Sequence, residues 1–246
     1  MPEHPGNVTN FRRTDTARTG LMTAVRQRSV EVMALLSGDR VLDVGCGTGC
    51  GIRALADRVR PGGMVHGVDY DVAMIAEAQR RAGVDGLDRC VSYHQANAAA
   101  LPWPDAYFDA CRSDRVMQHM LAPERAFSEL LRVTKPGGRI VVIDGDWATL
   151  GIDPDEADAE VDAAGRRAHF LATLHSPNPV TGRCLRGLFV HHGLLDIELC
   201  VQPVFDGDSD ADWCWQQSRT RESDVAGTFA SANIVMVSGR KASAIA

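Results

Sequence analysis

The stretch Val41-Leu42-Asp43-Val44-Gly45-Cys46-Gly47-Thr48-Gly49-Cys50 decides the fold. An apolar run that ends in alternating glycines reads as a short strand, Arg40–Val44, turning straight into a helix, Ile52–Val59. Glycines at such a junction let the backbone turn tightly and approach a ligand with no β-carbon in the way. A dinucleotide-binding turn carries G-x-G-x-x-G, but its sixth position is here Cys50. The spacing G-x-G-x-G suits a nucleoside that lacks a pyrophosphate. Asp43, just before the first glycine, can accept a bond from a cationic amino-acid moiety. Asp69 closes the following strand, where an acid grips ribose hydroxyls.

Outward from this turn the pattern alternates strand and helix. Pro61-Gly62-Gly63 turns into a strand at Met64–Val68, and Asp71 can cap a helix with Ile75, Ala78 and Ala82 on its inner face. Further strands are expected at Cys90–His94, Ala106–Arg112 and Arg139–Asp144. Pro123 opens a helix carrying Phe127, Leu130 and Leu131, and Lys135-Pro136-Gly137-Gly138 turns from it into the strongest strand. This alternation predicts right-handed crossovers and a mostly parallel sheet covered on both faces. Upstream, Leu21, Val25, Val32 and Leu36 predict a helix that Gly38 stops, and residues 1–15 read as a mobile arm. Downstream, helices are expected at Asp153–Leu174 and Gly182–His192, and strands at Leu195–Val204 and Ala230–Arg240, the last antiparallel. No proline-rich linker separates this third, so residues 1–246 read as one domain: a core at 38–145 and a substrate-side cap with strands six and seven at 146–246.

Composition narrows the class. Apolar residues make up 45% and charged residues 24%, ordinary for a soluble globular protein. The net charge of -6, with scattered arginines, argues against nucleic acid and anionic membranes as partners. Seven cysteines, none in a CxxC pair, argue against a disulfide framework and a zinc site, so no metal is expected. The N-terminus carries no apolar signal core, and no stretch approaches the about 18 apolar residues a membrane span needs. The expectation is a reduced, cytoplasmic protein, monomer or homodimer.

VLDVGCGTG (41–49), GVDYD (67–71), ALPWPDAYFDA (100–110) and LLRVTKPGGRIVVID (130–144) together resemble the class I S-adenosylmethionine-dependent methyltransferases. The resemblance is strongest to the small-molecule branch of ubiquinone/menaquinone and arsenite methyltransferases, and is tight over residues 38–145. It implies a Rossmann-like seven-stranded α/β sheet ordered 3-2-1-4-5-7-6 with only strand 7 antiparallel and helices on both faces. It implies S-adenosyl-L-methionine as cofactor, with Gly45, Cys46, Gly47 and Gly49 against it, Asp43 near its methionine amine and Asp69 on its ribose. Tyr70 and Met74 would flank the adenine. Asn97, before Ala98, stands where the family usually has Asp and can still accept through its carbonyl. Ser113 and Asp114 would line the floor under the methyl group.

A sulfonium methyl is already activated, so the protein chiefly supplies alignment, worth roughly 7–11 kcal/mol. A general base is needed only for an acceptor of high pKa. His119, beyond strand four, is the candidate base, and a histidine merely packed under the cofactor is the plain alternative. His191 and His192 end a helix, where the dipole explains them. His169 and His175 lie in the cap. Acidic runs at Asp153–Asp162 and Asp206–Asp212 fall at the sheet's ligand-binding edge and favour a neutral or cationic small molecule. A solvated loop and a helix N-terminus that favours negative charge are the plainer explanation. Trp147, Trp213 and Trp215 read as an aromatic wall or as core. Arsenite is disfavoured as acceptor, since no thiolates cluster. The expected function is methyl transfer to an oxygen, nitrogen or carbon of a metabolite. The alternatives are a cofactor-binding cyclase that transfers no methyl group and a non-catalytic partner subunit of the same fold.

Overall fold

The protein was analysed as a computed structural model, in which residues 21–153, 177–205 and 229–243 are described. The strands are β1 (Arg40–Val44), β2 (Met64–Asp69), β3 (Val91–Gln95), β4 (Phe108–Asp114), β5 (Thr134–Asp153), β6 (Leu195–Phe205) and β7 (Phe229–Arg240). They form one sheet in the order β3-β2-β1-β4-β5-β7-β6. Neighbours from β3 to β5 pair in parallel, while β7 runs antiparallel to both β5 and β6. The expected order and the reversed last strand are both present.

Helices cover both faces because each carries one apolar stripe. On one face lie α1 (Leu21–Val32), α2 (Ile52–Val59) and α3 (Val72–Val84). In α2, Ile52, Leu55, Ala56 and Val59 recur at the helical period and are all buried. Asp71 caps α3 by accepting from the Ala73 N–H at 2.7 Å. On the other face lie α4 (Pro123–Val133) and α5 (Thr181–His191), which bury Phe127, Leu130, Leu185 and Phe189. Their stripes meet strands whose side chains alternate between the two cores.

Several boundaries differ from the sequence reading. α1 stops at Val32, well before Gly38, because the chain turns at Ala34 with φ +50, and Leu36 is left 69% exposed. β4 runs through Asp114, so Ser113 and Asp114 end the strand rather than follow it. β5 begins immediately after α4; the Pro136-Gly137-Gly138 turn survives as a register shift between the Phe108–Thr134 and Ala110–Arg139 pairs. Asp153 belongs to the far end of β5. The arm at 1–15, the rest of the helix expected at Asp153–Leu174, and the loop holding Trp213 and Trp215 lie outside the described residues.

At the β3 edge, His66 and His94 stand on neighbouring strands and share the Ser92 hydroxyl, at 2.8 and 3.1 Å. Trp103 packs edge-on against both rings. Burial, helped by His94 and Arg40, lowers the His66 pKa to about 4. The unfolded chain therefore takes up this proton first, and the stability His66 contributes is lost as pH falls from 6.5 toward about 4. Replacing His66 by Gln keeps a polar partner for Ser92 and removes the titration. Denaturant midpoints measured across that window should fall less steeply for H66Q than for the parent; parallel curves would contradict this origin of acid sensitivity.

Candidate functional site

The glycine turn is set by its backbone. Gly45, Gly47 and Gly49 have φ of +70, +52 and +82, a region that costs side-chain-bearing residues roughly 1–2 kcal/mol each. The N–H groups of Gly45 and Cys46 both donate to Val68 O, at 2.7 and 3.0 Å, tying the turn to the end of β2. Asp69 completes the tie: its Oδ2 accepts from the Gly47 N–H at 2.9 Å and its Oδ1 from the Asp71 N–H at 3.0 Å. Burial raises the Asp69 pKa against the pull of these N–H donors. Each oxygen keeps a further lone pair for a hydroxyl.

The three glycines differ in their surroundings. A Cβ at Gly45 would collide with Val116, and one at Gly49 would lie 2.6 Å from the Tyr93 hydroxyl. A Cβ at Gly47 would meet nothing within 4 Å among the described residues. Among the described residues the turn is thus packed at its two ends and open at its middle, as a backbone cradle for a ligand requires.

Asp43 faces inward. It sits directly across from Arg112 in the β1–β4 register, and the guanidinium grips it with both arms, Nε to Oδ1 at 2.8 Å and Nη2 to Oδ2 at 3.0 Å. Both side chains are almost fully buried, at 2% and 4% exposure. The Ser29 hydroxyl accepts from Arg112 Nη1, which joins α1 to the pair. Gly51 leaves room for the guanidinium, since a Cβ there would collide with Nη2. Sequence reasoning passed over Arg112, although an arginine inside a buried strand demands a partner. Asp114, two residues on, pairs with Arg26 of α1 at 2.9 Å and with Arg115 at 3.0 Å. Burial alone would raise its carboxyl, but Arg115, Arg26 and Arg112 outweigh that and hold it well below the usual carboxylate range.

Beyond β4 the short turn Met117–His119 is pinned from below. Asp144, fully buried at the end of the sheet's core, accepts from the N–H groups of Met117 at 3.1 Å and Gln118 at 3.4 Å. Burial pushes its carboxyl up to about 8, the nearby Asp114 adds to the rise, and the two N–H donors oppose it. Gln118 Oε1 accepts from the Trp147 indole N–H at 2.7 Å, so Trp147 is a buried support of this turn. His119 is exposed, with its Nε2 3.1 Å from Gln118 Nε2.

Of the other sequence-selected residues, Tyr70, Asn97 and Ser113 end or follow strands at the same carboxyl edge. Tyr70, next to Asp69, is 78% exposed, and Met74 is buried in α3. Asn97 is exposed and its Oδ1 accepts from the Ala99 N–H at 2.9 Å; Ala98 packs against the second core. Cys46 is buried and its thiol is raised by burial, with Asp43 and Asp69 adding to the rise, which makes it a packing residue under the turn. Ser113 is buried, with no hydrogen-bond partner for its hydroxyl among the described residues. His191 ends α5, whereas His169 and His175 lie outside the described residues. Removing one member of a buried ion pair strands the other, at a cost of about 3–5 kcal/mol. Asp43→Ala is therefore expected to lose that much unfolding free energy in denaturant melts; a loss below about 1 kcal/mol would contradict the pair's structural weight.

Residues 42–142 match the family model described as a methyltransferase domain. An uncharacterized 37.1 kDa protein in transposon TN4556 of Streptomyces fradiae is 33% identical over 193 residues, covering 78% of this chain and 52% of that one. The demethylmenaquinone methyltransferase of Thermus thermophilus is 39% identical over 119 residues, 48% of this chain and 53% of that one. The chain thus spans about half the length of these curated relatives. Among solved structures, a putative methyltransferase from Bacillus halodurans superposes with a TM-score of 0.67 at 18% identity, covering 89% of this chain and 99% of that one. Sheet order, glycine turn and the match over residues 42–142 point the same way: this part of the chain is similar to methyltransferase domains.

Proposed function

We propose that the chain transfers the methyl group of S-adenosylmethionine to a small-molecule acceptor. The observation that carries this reading is the open middle of the glycine turn at Gly47, with the Asp69 carboxylate fastened beside it. The chemistry of this edge fits the cofactor. A bare backbone admits close approach, Asp69 has lone pairs for the ribose diol, and Tyr70 and Asn97 stand beyond it for the adenine. When bound, the cofactor supplies an electrophilic methyl on sulfur. The chain's own task is to hold the donor and acceptor in line, where roughly 7–11 kcal/mol of the barrier can be removed by placement alone.

The acceptor would sit over the turn Met117–His119, whose backbone is fixed by Asp144. His119 is the exposed side chain of that turn, Met117 and Gln118 being buried. We take the acceptor to be a neutral or cationic metabolite and the setting to be a reducing cytoplasm. The charge preference follows from the acidic runs after strands five and six, and the setting from seven cysteines with no CxxC pair among them.

Two measurements test this. A metabolite screen that follows S-adenosylhomocysteine release should find a neutral or cationic acceptor; product formed without S-adenosylhomocysteine would mean a cyclase-type reaction, and a preference for phosphorylated acceptors would refute the charge preference. Asp69→Ala should keep the fold and lose cofactor affinity by about 1.5–3 kcal/mol, on the scale of hydrogen bonds to a charged group. Unchanged affinity in calorimetry would move the ribose elsewhere.

A further inference from the structure

The environment of Gln118 decides which nitrogen of His119 carries its proton. The Gln118 side chain is completely buried. Its Oε1 lies 2.7 Å from the Trp147 indole N–H and 3.3 Å from the Gly145 backbone N–H. Both of those groups can only donate, so the amide must present its oxygen to them. The Gln118 NH2 group is then left facing His119 Nε2 at 3.1 Å, and an amide NH2 can only donate. Flipping the amide would set its NH2 against two N–H donors in the interior, where donor faces donor and both contacts are lost.

We propose that Gln118 is a positioning residue that holds His119 as the neutral Nδ1–H tautomer, with the Nε2 lone pair engaged as an acceptor. In that tautomer the basic ring nitrogen is occupied by the Gln118 NH2. His119 is then unsuited to removing a proton from an acceptor, because protonating Nε2 would oppose the Gln118 NH2. The use of His119 toward an acceptor rests on the methyltransferase reading above; the tautomer does not, since it follows from buried hydrogen bonds alone.

The test is 15N NMR of the histidine ring nitrogens in the full chain without cofactor, at a pH where imidazole is neutral, with His119 assigned by its loss in His119→Asn. We expect a pyrrole-type Nδ1 and a pyridine-type Nε2, the reverse of the tautomer free histidine prefers. Gln118→Glu keeps an acceptor for Trp147 and Gly145 and places an anionic oxygen against Nε2, so the pattern should invert. A protonated Nε2 in the parent protein, or an unchanged pattern in Q118E, overturns the proposal. A methyltransferase assay plays no part in either result, so failure here leaves the donor assignment standing, and failure there leaves the tautomer standing.

Discussion

The buried pair between Asp43 and Arg112 is the interaction on which the other parts of this site depend. It joins the two central strands of the sheet directly below the glycine turn, with both carboxylate oxygens engaged. Two charges this deep are costly to desolvate, so the pair is a device for fixing geometry more than a source of net stability. Its geometry dictates its neighbours. Gly51 has to be bare, Ser29 has to lie within reach of the guanidinium, and α1 is drawn onto the sheet at that point. Arg26, one turn earlier in α1, then meets Asp114 at the end of β4. One chain of charges therefore runs from β1 through β4 to the N-terminal helix.

Above that chain the edge of the sheet divides into two halves with different physics. The half over β1 and β2 is backbone: three left-handed glycines, N–H groups tied to Val68 and Asp69, and open space over Gly47. It is built to receive a ligand closely. The half over β4 and β5 is a hydrogen-bonded block in which Asp144, Gln118 and Trp147 lock the turn Met117–His119 from beneath. It is built to resist movement. A transfer reaction that depends on alignment needs both, a snug seat for one partner and a rigid floor for the other.

Much of this was legible in the sequence, and the reasons are specific. The strand at Arg40–Val44, the helix at Ile52–Val59 and the cap at Asp71 were readable because local periodicity and side-chain capping fix them without help from distant residues. The end of α1 was not, because Leu36 continues an apolar period that the structure abandons at Ala34, a residue with no special affinity for positive φ. Asp43 read as an acid for the methionine amine of a cofactor, but both its oxygens are taken by Arg112, 69 positions away, which only the β1–β4 register brings to it. Gln118 was hidden for the same reason, and of the two readings of Trp147, wall or core, the structure shows core. Each looks like an ordinary polar or aromatic residue until β5 is laid beside the turn that follows β4. The sequence signal that would have exposed Arg112 is a charged residue inside an otherwise buried strand, which must find a counter-charge on a neighbour.

The central claim is that a nucleoside cofactor seats on the turn Gly45–Gly49 beside Asp69. Hydrogen–deuterium exchange of the whole chain, with and without saturating S-adenosylhomocysteine, tests it most directly. We expect added protection confined to the amides of residues 45–50 and 69–71 and to the loop around Asn97, with the α4–α5 face unchanged. Protection elsewhere with none at the glycine turn, or no protection at saturating ligand, would contradict the claim.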